Sequence, residues 1–121
     1  MWKAQKSLDE RLAESRAVRE KHPDRIPVLC ERHASSALKD VGSKKFLVPR
    51  DLTIGQFIYV LRKRMPLPSS QALFLSTESG HIPPSSQQMQ QTHAAHQDED
   101  GFLYLRYSGE NTFGGIRSAH V

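Results

Sequence analysis

The chain has 121 residues, of which 37% are hydrophobic, and this length and composition fit one domain with one small core. Its single cysteine, Cys30, excludes an internal disulfide and a cysteine-ligated zinc cluster, and favours a reducing compartment such as the cytosol or nucleus. The net charge of +4 is uneven, because residues 1–64 carry +7 and residues 65–121 carry −3, and no apolar run approaches the ~20 residues that cross a bilayer.

The first element that the sequence predicts is a helix over residues 7–21. Ser7 followed by Glu10 is a capping-box pattern, in which each side chain bonds the backbone N–H of the other residue. The apolar stripe along this segment is thin, which predicts a helix on the surface of a domain. Pro23 ends the helix, since the residue before a proline avoids the helical conformation. Residues 26–32 follow as a strand of mixed burial.

A short strand, a helix and another strand are predicted in the middle of the chain. The first strand is residues 46–48, which follow a polar loop. Thr53 and Gln56 form a second capping box, and the clearest amphipathic pattern in the chain comes with them, at Ile54, Phe57, Ile58 and Leu61. We expect this helix to end at about Arg64, and residues 72–75 to form the next strand.

Residues 76–98 give the weakest structural signal. Turn-forming residues are followed by a polar segment over 87–97, which predicts a short, poorly anchored helix. Residues 102–107 alternate and have high β-propensity, as in a strand. The chain after Ser108 has no periodicity, which predicts a flexible tail. This order of elements predicts an α+β two-layer domain with a helix packed on a mixed sheet, of which the β-grasp arrangement is one example.

Three residues suggest chemistry but have simpler explanations. Cys30 lies in an apolar strand, which is typical of a small buried side chain and not of a nucleophile. His93 and His96 have a spacing that would suit a metal on a helix. Two ligands without carboxylate or thiol support make a poor site, so we interpret both as surface histidines. We therefore predict no metal and no cofactor.

Five blocks of sequence closely resemble the autophagy ubiquitin-like modifiers, the family of microtubule-associated protein light chain 3 and the GABA-receptor-associated protein. The blocks are RIPVLCE at 25–31, KFLVPRDLTIGQF at 45–57, RKR at 62–64, DEDGFLY at 98–104 and YSGENTFG at 107–114. The resemblance runs from about Leu12 to Gly114. One departure is Thr92-His93, where family members typically carry an apolar or aromatic pair.

The resemblance implies a ubiquitin-like β-grasp fold preceded by two N-terminal helices. We expect an N-terminal helical extension over 1–24, the β-grasp domain over 25–107 and a flexible tail with a processing site over 108–121. It also implies that a cysteine protease cuts after Gly114, with Gly115 as the less favoured position. Activating and conjugating enzymes would then carry the glycine as a thioester and link it to phosphatidylethanolamine. The nucleophiles belong to these partners, so the chain itself is not expected to be an enzyme.

Carried over by position, the family's peptide-binding surface falls on two pockets beside residues 46–48, which look like an exposed sheet edge. Pocket one is lined by Glu14, Val18, Pro27, Leu29, Lys45, Leu47 and Phe102. Pocket two is lined by Phe46, Val48, Pro49, Leu52, Phe57 and Val60, of which Leu52 and Phe57 are expected to serve the core as well. A peptide with an aromatic residue, two spacers and an aliphatic residue would add a strand here. Acidic residues flanking that motif would meet three basic side chains, Arg25, Lys45 and Arg64.

The main prediction is a conjugatable modifier and cargo-adaptor platform in autophagy. It is expected to be cytoplasmic and monomeric before lipidation and to lie on autophagosomal membranes after it. The expected partners are the processing protease, the activating and conjugating enzymes, a phosphatidylethanolamine membrane and cargo receptors. One alternative is a β-grasp peptide-binding module that is not lipidated, a diverged paralogue. A nucleic-acid-binding domain is disfavoured, because the basic stretches lack the interleaved aromatic residues of single-strand binders.

Overall fold

The computed structural model describes residues 2–36, 38–40, 42–65 and 72–109 of the chain. The helices and strands follow the general order that the sequence predicts, with one further short helix before the first predicted one. The elements are α1 (Trp2–Gln5), α2 (Leu8–Lys21), β1 (Arg25–Arg32), β2 (Lys44–Pro49), α3 (Ile54–Arg64), β3 (Phe74–Thr77), α4 (Met89–His96) and β4 (Leu103–Ser108).

Helices α2 and α3 begin where their capping boxes predict. At α2 the Ser7 hydroxyl accepts a hydrogen bond from the Glu10 N–H at 3.2 Å, and the Glu10 carboxylate accepts one from the Ser7 N–H at 3.0 Å. At α3 the same reciprocal pair joins Thr53 and Gln56 at 3.1 and 2.9 Å. These bonds satisfy N–H groups that the first helical turn leaves without a partner. Both predicted helices are therefore confirmed.

The four strands form one sheet in the order β2-β1-β4-β3. β1 pairs antiparallel with β2 and parallel with β4, while β3 pairs antiparallel with β4. This mixed sheet with α3 in the connection is the β-grasp arrangement, and the predicted fold class is confirmed. β3 lies two residues later than predicted, because its pairing with β4 starts at Phe74 opposite Ser108.

The sheet face toward α3 carries the larger hydrophobic core. Ile54, Phe57 and Leu61 of α3 are 2%, 0% and 1% exposed. They pack with alternate residues of the strands, including Val28 and Leu105. At about 25 cal/mol per Å² of apolar surface removed from water, this cluster is the main source of the domain's stability.

The opposite face of the sheet is covered by α1 and α2, which adds a layer to the predicted two. Leu29 and Tyr104 alternate along their strands with the core residues, so their side chains point to this second face. With Phe102 they form a separate small cluster, against which Trp2 of α1 packs. The two N-terminal helices that the resemblance implies are thus present.

A buried carboxylate fastens α2 to the start of β4. Arg11 donates from Nη1 to Asp100 Oδ2 at 2.7 Å, and the Tyr104 hydroxyl donates to the same oxygen at 2.5 Å. The other oxygen, Oδ1, accepts the Phe102 N–H at 2.8 Å. Ser15 on α2 also donates to the Asp100 carbonyl. Burial and then the carboxylate raise the pKa of Tyr104, so its hydroxyl stays a donor.

Helix α4 is anchored more firmly than predicted. Met89 and Thr92 are both 0% exposed, and His93 is 8% exposed. The interpretation of His93 as a surface histidine is therefore wrong. Its Nε2 donates to the Gly101 carbonyl at 2.8 Å, which ties α4 to the same turn that α2 contacts. Gly101 fits that turn because its φ is +90° and a Cβ there would lie 2.8 Å from the Ser15 hydroxyl oxygen.

Candidate peptide-binding edge

Strand β2 lies at one edge of the sheet and has β1 as its neighbour. The pairing runs from Cys30 opposite Lys44 to Arg25 opposite Pro49. Successive side chains of a strand point to opposite faces. Lys45 and Leu47 therefore lie on the face of α2, and Phe46 and Val48 lie on the face of α3. This arrangement puts the proposed pockets one and two on the two sides of a single strand.

The polar wall of pocket one is a three-charge cluster between α1, α2 and β2. The Glu14 carboxylate accepts hydrogen bonds from Lys45 Nζ at 2.5 Å and from Lys6 Nζ at 3.2 Å. Desolvation opposes the charge of Glu14, but the two ammonium groups outweigh it and lower the pKa of Glu14. Lys45 keeps 48% of its side chain exposed, so it can also reach a ligand.

The apolar floor of pocket one is buried. Leu29 and Phe102 are 0% and 2% exposed, and Pro27 is also buried. Leu47 at the rim is 42% exposed, and Val18 on α2 is half-buried. The structure therefore brings the predicted residues together around one site, with its floor covered in this conformation.

Pocket two lies against α3 and shares residues with the main core. Phe57 is 0% and Val48 is 5% exposed, so both are core residues. Phe46 is half-buried and packs edge-on against Phe57, with ring centroids 5.1 Å apart. The remaining predicted residues, Pro49, Leu52 and Val60, are half-buried. Part of their apolar surface is therefore exposed beside β2.

A cavity of about 160 Å³ opens beside this pocket at the start of β2. Its lining shares only Phe46 with the predicted pocket two. The others are Lys44, Lys45, Leu61, Arg64 and Met65. Leu61 and Met65 follow the apolar spacing of α3, so this helical periodicity could have predicted that they lie beside pocket two.

The three predicted basic contacts all lie around β2. Arg25 Nη1 donates to the Leu47 carbonyl at 3.4 Å. The Arg64 guanidinium lies 5.7 Å from the centre of the Phe46 ring, and Lys45 bonds to Glu14 at 2.5 Å. A positive rim therefore surrounds the edge strand.

Other candidate chemistry is absent from the described part of the chain. Cys30 is 1% exposed, and burial raises the pKa of its thiol to about 12, so it is a buried side chain as predicted. His96 stacks on His81 with centroids 4.8 Å apart. Residues 2–36, 38–40, 42–65 and 72–109 hold no group of three or more potential metal ligands, and no helix there is long and apolar enough to cross a bilayer. Gly114 and Gly115 lie outside the described residues.

Comparison with known proteins extends these observations. The family model "Autophagy protein Atg8 ubiquitin like" matches residues 10–114. Autophagy-related protein 8a of Arabidopsis thaliana is 48% identical over 118 residues, covering 98% of this chain and 96% of that protein. Autophagy-related protein 8 of Schizosaccharomyces pombe is 48% identical over 110 residues, covering 91% and 90%.

A solved structure gives the same result for the fold. The crystal structure of Trypanosoma brucei ATG8 aligns with a TM-score of 0.85 at 46% identity, covering 90% of this chain and 93% of that one. Sequence and fold therefore agree over nearly the whole chain. The chain belongs to the Atg8 family of autophagy-related ubiquitin-like proteins.

Proposed function

We propose that this chain is a ubiquitin-like modifier that is cut after Gly114 and joined to phosphatidylethanolamine. On the autophagosomal membrane, the β2 edge then recruits cargo receptors through short peptide motifs. The observation that supports the second part most directly is the edge strand β2, whose side chains alternate between the α2 face and the α3 face and which has basic side chains around it. An alternative is a peptide-binding module that is never conjugated, and the experiments below separate the two.

Two features support Gly114 as the conjugated residue. The family match ends at Gly114, and β4, the last strand, ends at Ser108. The sheet therefore does not depend on the residues that a protease would remove. Glycine also lacks a Cβ, so it passes through a narrow enzyme channel without a steric clash.

The reaction sequence needs no side chain of this protein as a nucleophile. A protease would hydrolyse the peptide bond between Gly114 and Gly115 and release Gly115–Val121. An activating enzyme would convert the new carboxylate to a thioester, which requires a nucleoside triphosphate. The amine of phosphatidylethanolamine would then attack the thioester carbonyl, form an amide and release the enzyme's thiol. The lipid anchors a chain whose described helices cannot span a bilayer.

The β2 edge supports recognition of an extended peptide. A strand added beside β2 would gain backbone hydrogen bonds, and its alternate side chains would enter the two pockets. A motif of an aromatic residue, two spacers and an aliphatic residue matches this geometry, with the aromatic ring in pocket one. Acidic residues beside the motif would meet Arg25, Lys45 and Arg64. Each exposed charge pair would contribute about 0.2–1 kcal/mol.

Intact-mass analysis of the protein isolated from cells tests the conjugation step. We expect a form that lacks Gly115–Val121 and a second form that carries phosphatidylethanolamine. Gly114→Ala should abolish both. Gly115→Ala is the matched control, because a cut after Gly114 still leaves Gly114 as the terminus. A protein that keeps its full mass during induced autophagy would instead support the unconjugated module.

Peptide titration tests the binding edge separately. Leu47→Ala removes an exposed apolar residue of the rim, and we expect it to weaken binding of an acidic Phe-x-x-Leu peptide several-fold. Ile82→Ala is the matched control, because Ile82 is similarly exposed, at 47% against 42%, but lies in the connection after β3. Equal peptide affinities of the two variants would contradict the assignment of β2 as the docking site.

A further inference from the structure

The side chain of Trp2 packs against two residues that line the predicted pocket one, Leu29 and Phe102. Its ring packs edge-on against Phe102, with centroids 5.1 Å apart and planes at 70°. It also lies 6.4 Å from the ring of Tyr104. Leu29 completes the cluster beneath it. Trp2 thus contacts the apolar floor that the proposed function assigns to a partner's aromatic residue.

The charged wall of pocket one also surrounds the Trp2 ring. Lys45 Nζ lies 5.1 Å and Lys6 Nζ 5.3 Å from the ring centre, within the range of a cation–π contact. Both ammonium groups are held by Glu14. An incoming aromatic ring would need the same floor and the same lysine, so it cannot enter while Trp2 stays in place.

The segment that carries Trp2 is held by polar contacts and by the small cluster on the α2 face. Helix α1 has four residues and none of them is buried. The backbone N–H of Trp2 donates to Glu31 Oε2 at 3.3 Å. Lys3 Nζ pairs with Asp98 at 2.5 Å and with Glu78 at 3.2 Å. Desolvation opposes the charge of Lys3, but the two carboxylates outweigh it and raise its pKa. None of these contacts involves the main core cluster on the α3 face, so α1 can leave without opening that core.

We propose that Trp2 is an internal competitor that fills pocket one and is displaced when a partner's aromatic side chain binds. The inference rests on the peptide-binding function proposed above. When the open form is a minor fraction of the population, the apparent affinity for every partner is its intrinsic affinity multiplied by that fraction. Partners then succeed when their aromatic ring fits better than Trp2 or when their acidic residues draw Lys45 away from Glu14. Trp2 would therefore set a threshold that separates strong motifs from weak ones.

Trp2 is the single tryptophan of the chain, so its fluorescence reports its own position. The probe is a synthetic acidic Phe-x-x-Leu peptide without tryptophan. We expect the peptide to shift the Trp2 emission to the red and to increase its quenching by acrylamide, because the ring moves from a packed site into water. We also expect Trp2→Ala to bind the peptide roughly ten-fold more tightly, since an aromatic pair and two cation–π contacts no longer oppose entry.

Two further variants keep the test independent of the loss of the ring itself. Lys3→Ala retains Trp2 but removes the ion pairs of α1, and it should also tighten binding. Gln5→Ala, at an exposed position of the same helix, should leave the affinity unchanged.

Three outcomes are distinguishable. Tighter binding by Trp2→Ala together with the red shift supports the inference. Weaker or unchanged binding by Trp2→Ala overturns it while leaving the peptide-binding function intact, because Trp2 would then be part of the pocket wall or irrelevant to it. A failure of the wild type and of all three variants to bind the peptide overturns the peptide-binding function and this inference together.

Discussion

The two faces of the sheet are held by different kinds of interaction. Among the described residues, the face toward α3 carries a mainly apolar cluster of fourteen buried residues. The apolar cluster on the face toward α1 and α2 has three, and this face also depends on Asp100, Arg11 and the charges around Glu14. Hydrophobic burial is insensitive to pH and adds up with area, whereas hydrogen-bonded charges depend on each partner being present.

This difference assigns separate tasks to the two faces. The α3 face stabilises the domain, so its residues have little freedom to respond to a ligand. The α2 face has a small cluster, exposed lysines and a four-residue helix on its surface. Conformational change is drawn from the less stable parts of a structure. We therefore expect rearrangements during recognition on the α2 face.

The largest effect is expected from Phe57→Ala, which opens a cavity in the α3 face. Phe57 is 0% exposed and supports Phe46 of pocket two. Loss of a buried phenylalanine side chain typically lowers the free energy of unfolding by about 3–5 kcal/mol. Urea unfolding followed by circular dichroism measures the change. Tyr59→Ala on the same helix is the control, because Tyr59 is 61% exposed. Similar losses in the two variants would contradict the assignment of the core.

A smaller loss is expected from Asp100→Asn on the α2 face. The substitution removes the charge that accepts hydrogen bonds from Arg11 and Tyr104. Hydrogen bonds to a charged group are worth about 1.5–3 kcal/mol, so we expect a loss of that order. Hydrogen exchange should increase in α2 more than in α3. The exposed neighbour Glu99 gives the control, Glu99→Gln. Equal exchange in both helices would mean that the two faces open together.

The dependence of stability on pH is expected to come partly from His93. Burial lowers the pKa of His93 from its ordinary 6.5, and Arg19 and Arg50 act in the same direction against the Gly101 hydrogen bond. The unfolded chain therefore binds the proton at a higher pH than the folded one. The contribution of His93 to the free energy of unfolding is complete above about pH 6.5 and is lost as the pH falls through the pKa of His93 in the folded protein.

Unfolding titrations at about pH 7.5 and pH 5.5 measure this contribution. His93→Gln should reduce the decrease in the free energy of unfolding between about pH 7.5 and pH 5.5, because glutamine can still donate to the Gly101 carbonyl but does not titrate. His22→Gln, at an exposed position, is the control. A decline that is as steep in His93→Gln as in the wild type would assign the effect to other groups.

The smallest effect on stability is expected from Glu14→Gln. Glu14 pairs with Lys6 and Lys45, whose side chains are 36% and 48% exposed. Surface ion pairs contribute about 0–1 kcal/mol, so the free energy of unfolding should fall by no more than about 1 kcal/mol. The same variant frees both lysines from their shared carboxylate. A loss as large as that of Asp100→Asn would contradict the expectation that the Glu14 ion pairs stabilise the fold less than the Asp100 hydrogen bonds do.

Local patterns allowed much of the fold to be predicted. The capping boxes at Ser7 and Thr53 involve residues three apart, so the chain specifies them without tertiary contacts. The apolar spacing from Ile54 to Leu61 likewise identifies the helix and its buried face. Cys30 was predicted to be buried because it lies within an apolar strand.

The errors arise where tertiary contacts decide. His93 is polar and lies in a segment with few apolar residues, yet Gly101 supplies a buried acceptor for it across a turn. β3 is displaced by two residues because its register is fixed by β4, about thirty residues further along the chain.

The candidate site shows the same limit. The resemblance places residues of pocket one by position, but it carries no information about what covers them. Trp2 lies before Leu12, where the resemblance begins, so its contact with Phe102 was not predicted. A lone tryptophan followed by Lys3 and Lys6 was the signal available, since aromatic and cationic side chains often meet.

The end of β4 has a consequence for how far the domain can move. Gly114 lies six positions after Ser108, and a fully extended chain of that length spans at most about 20 Å. A lipid attached at Gly114 would therefore hold the domain close to the membrane surface. Arg32 pairs with Tyr107 in the parallel ladder of β1 and β4, and Cys30 pairs with Lys44 in the antiparallel ladder of β1 and β2. The start of β2 therefore lies at the same end of the sheet as the end of β4. A receptor would then meet the edge strand within a thin layer above the headgroups.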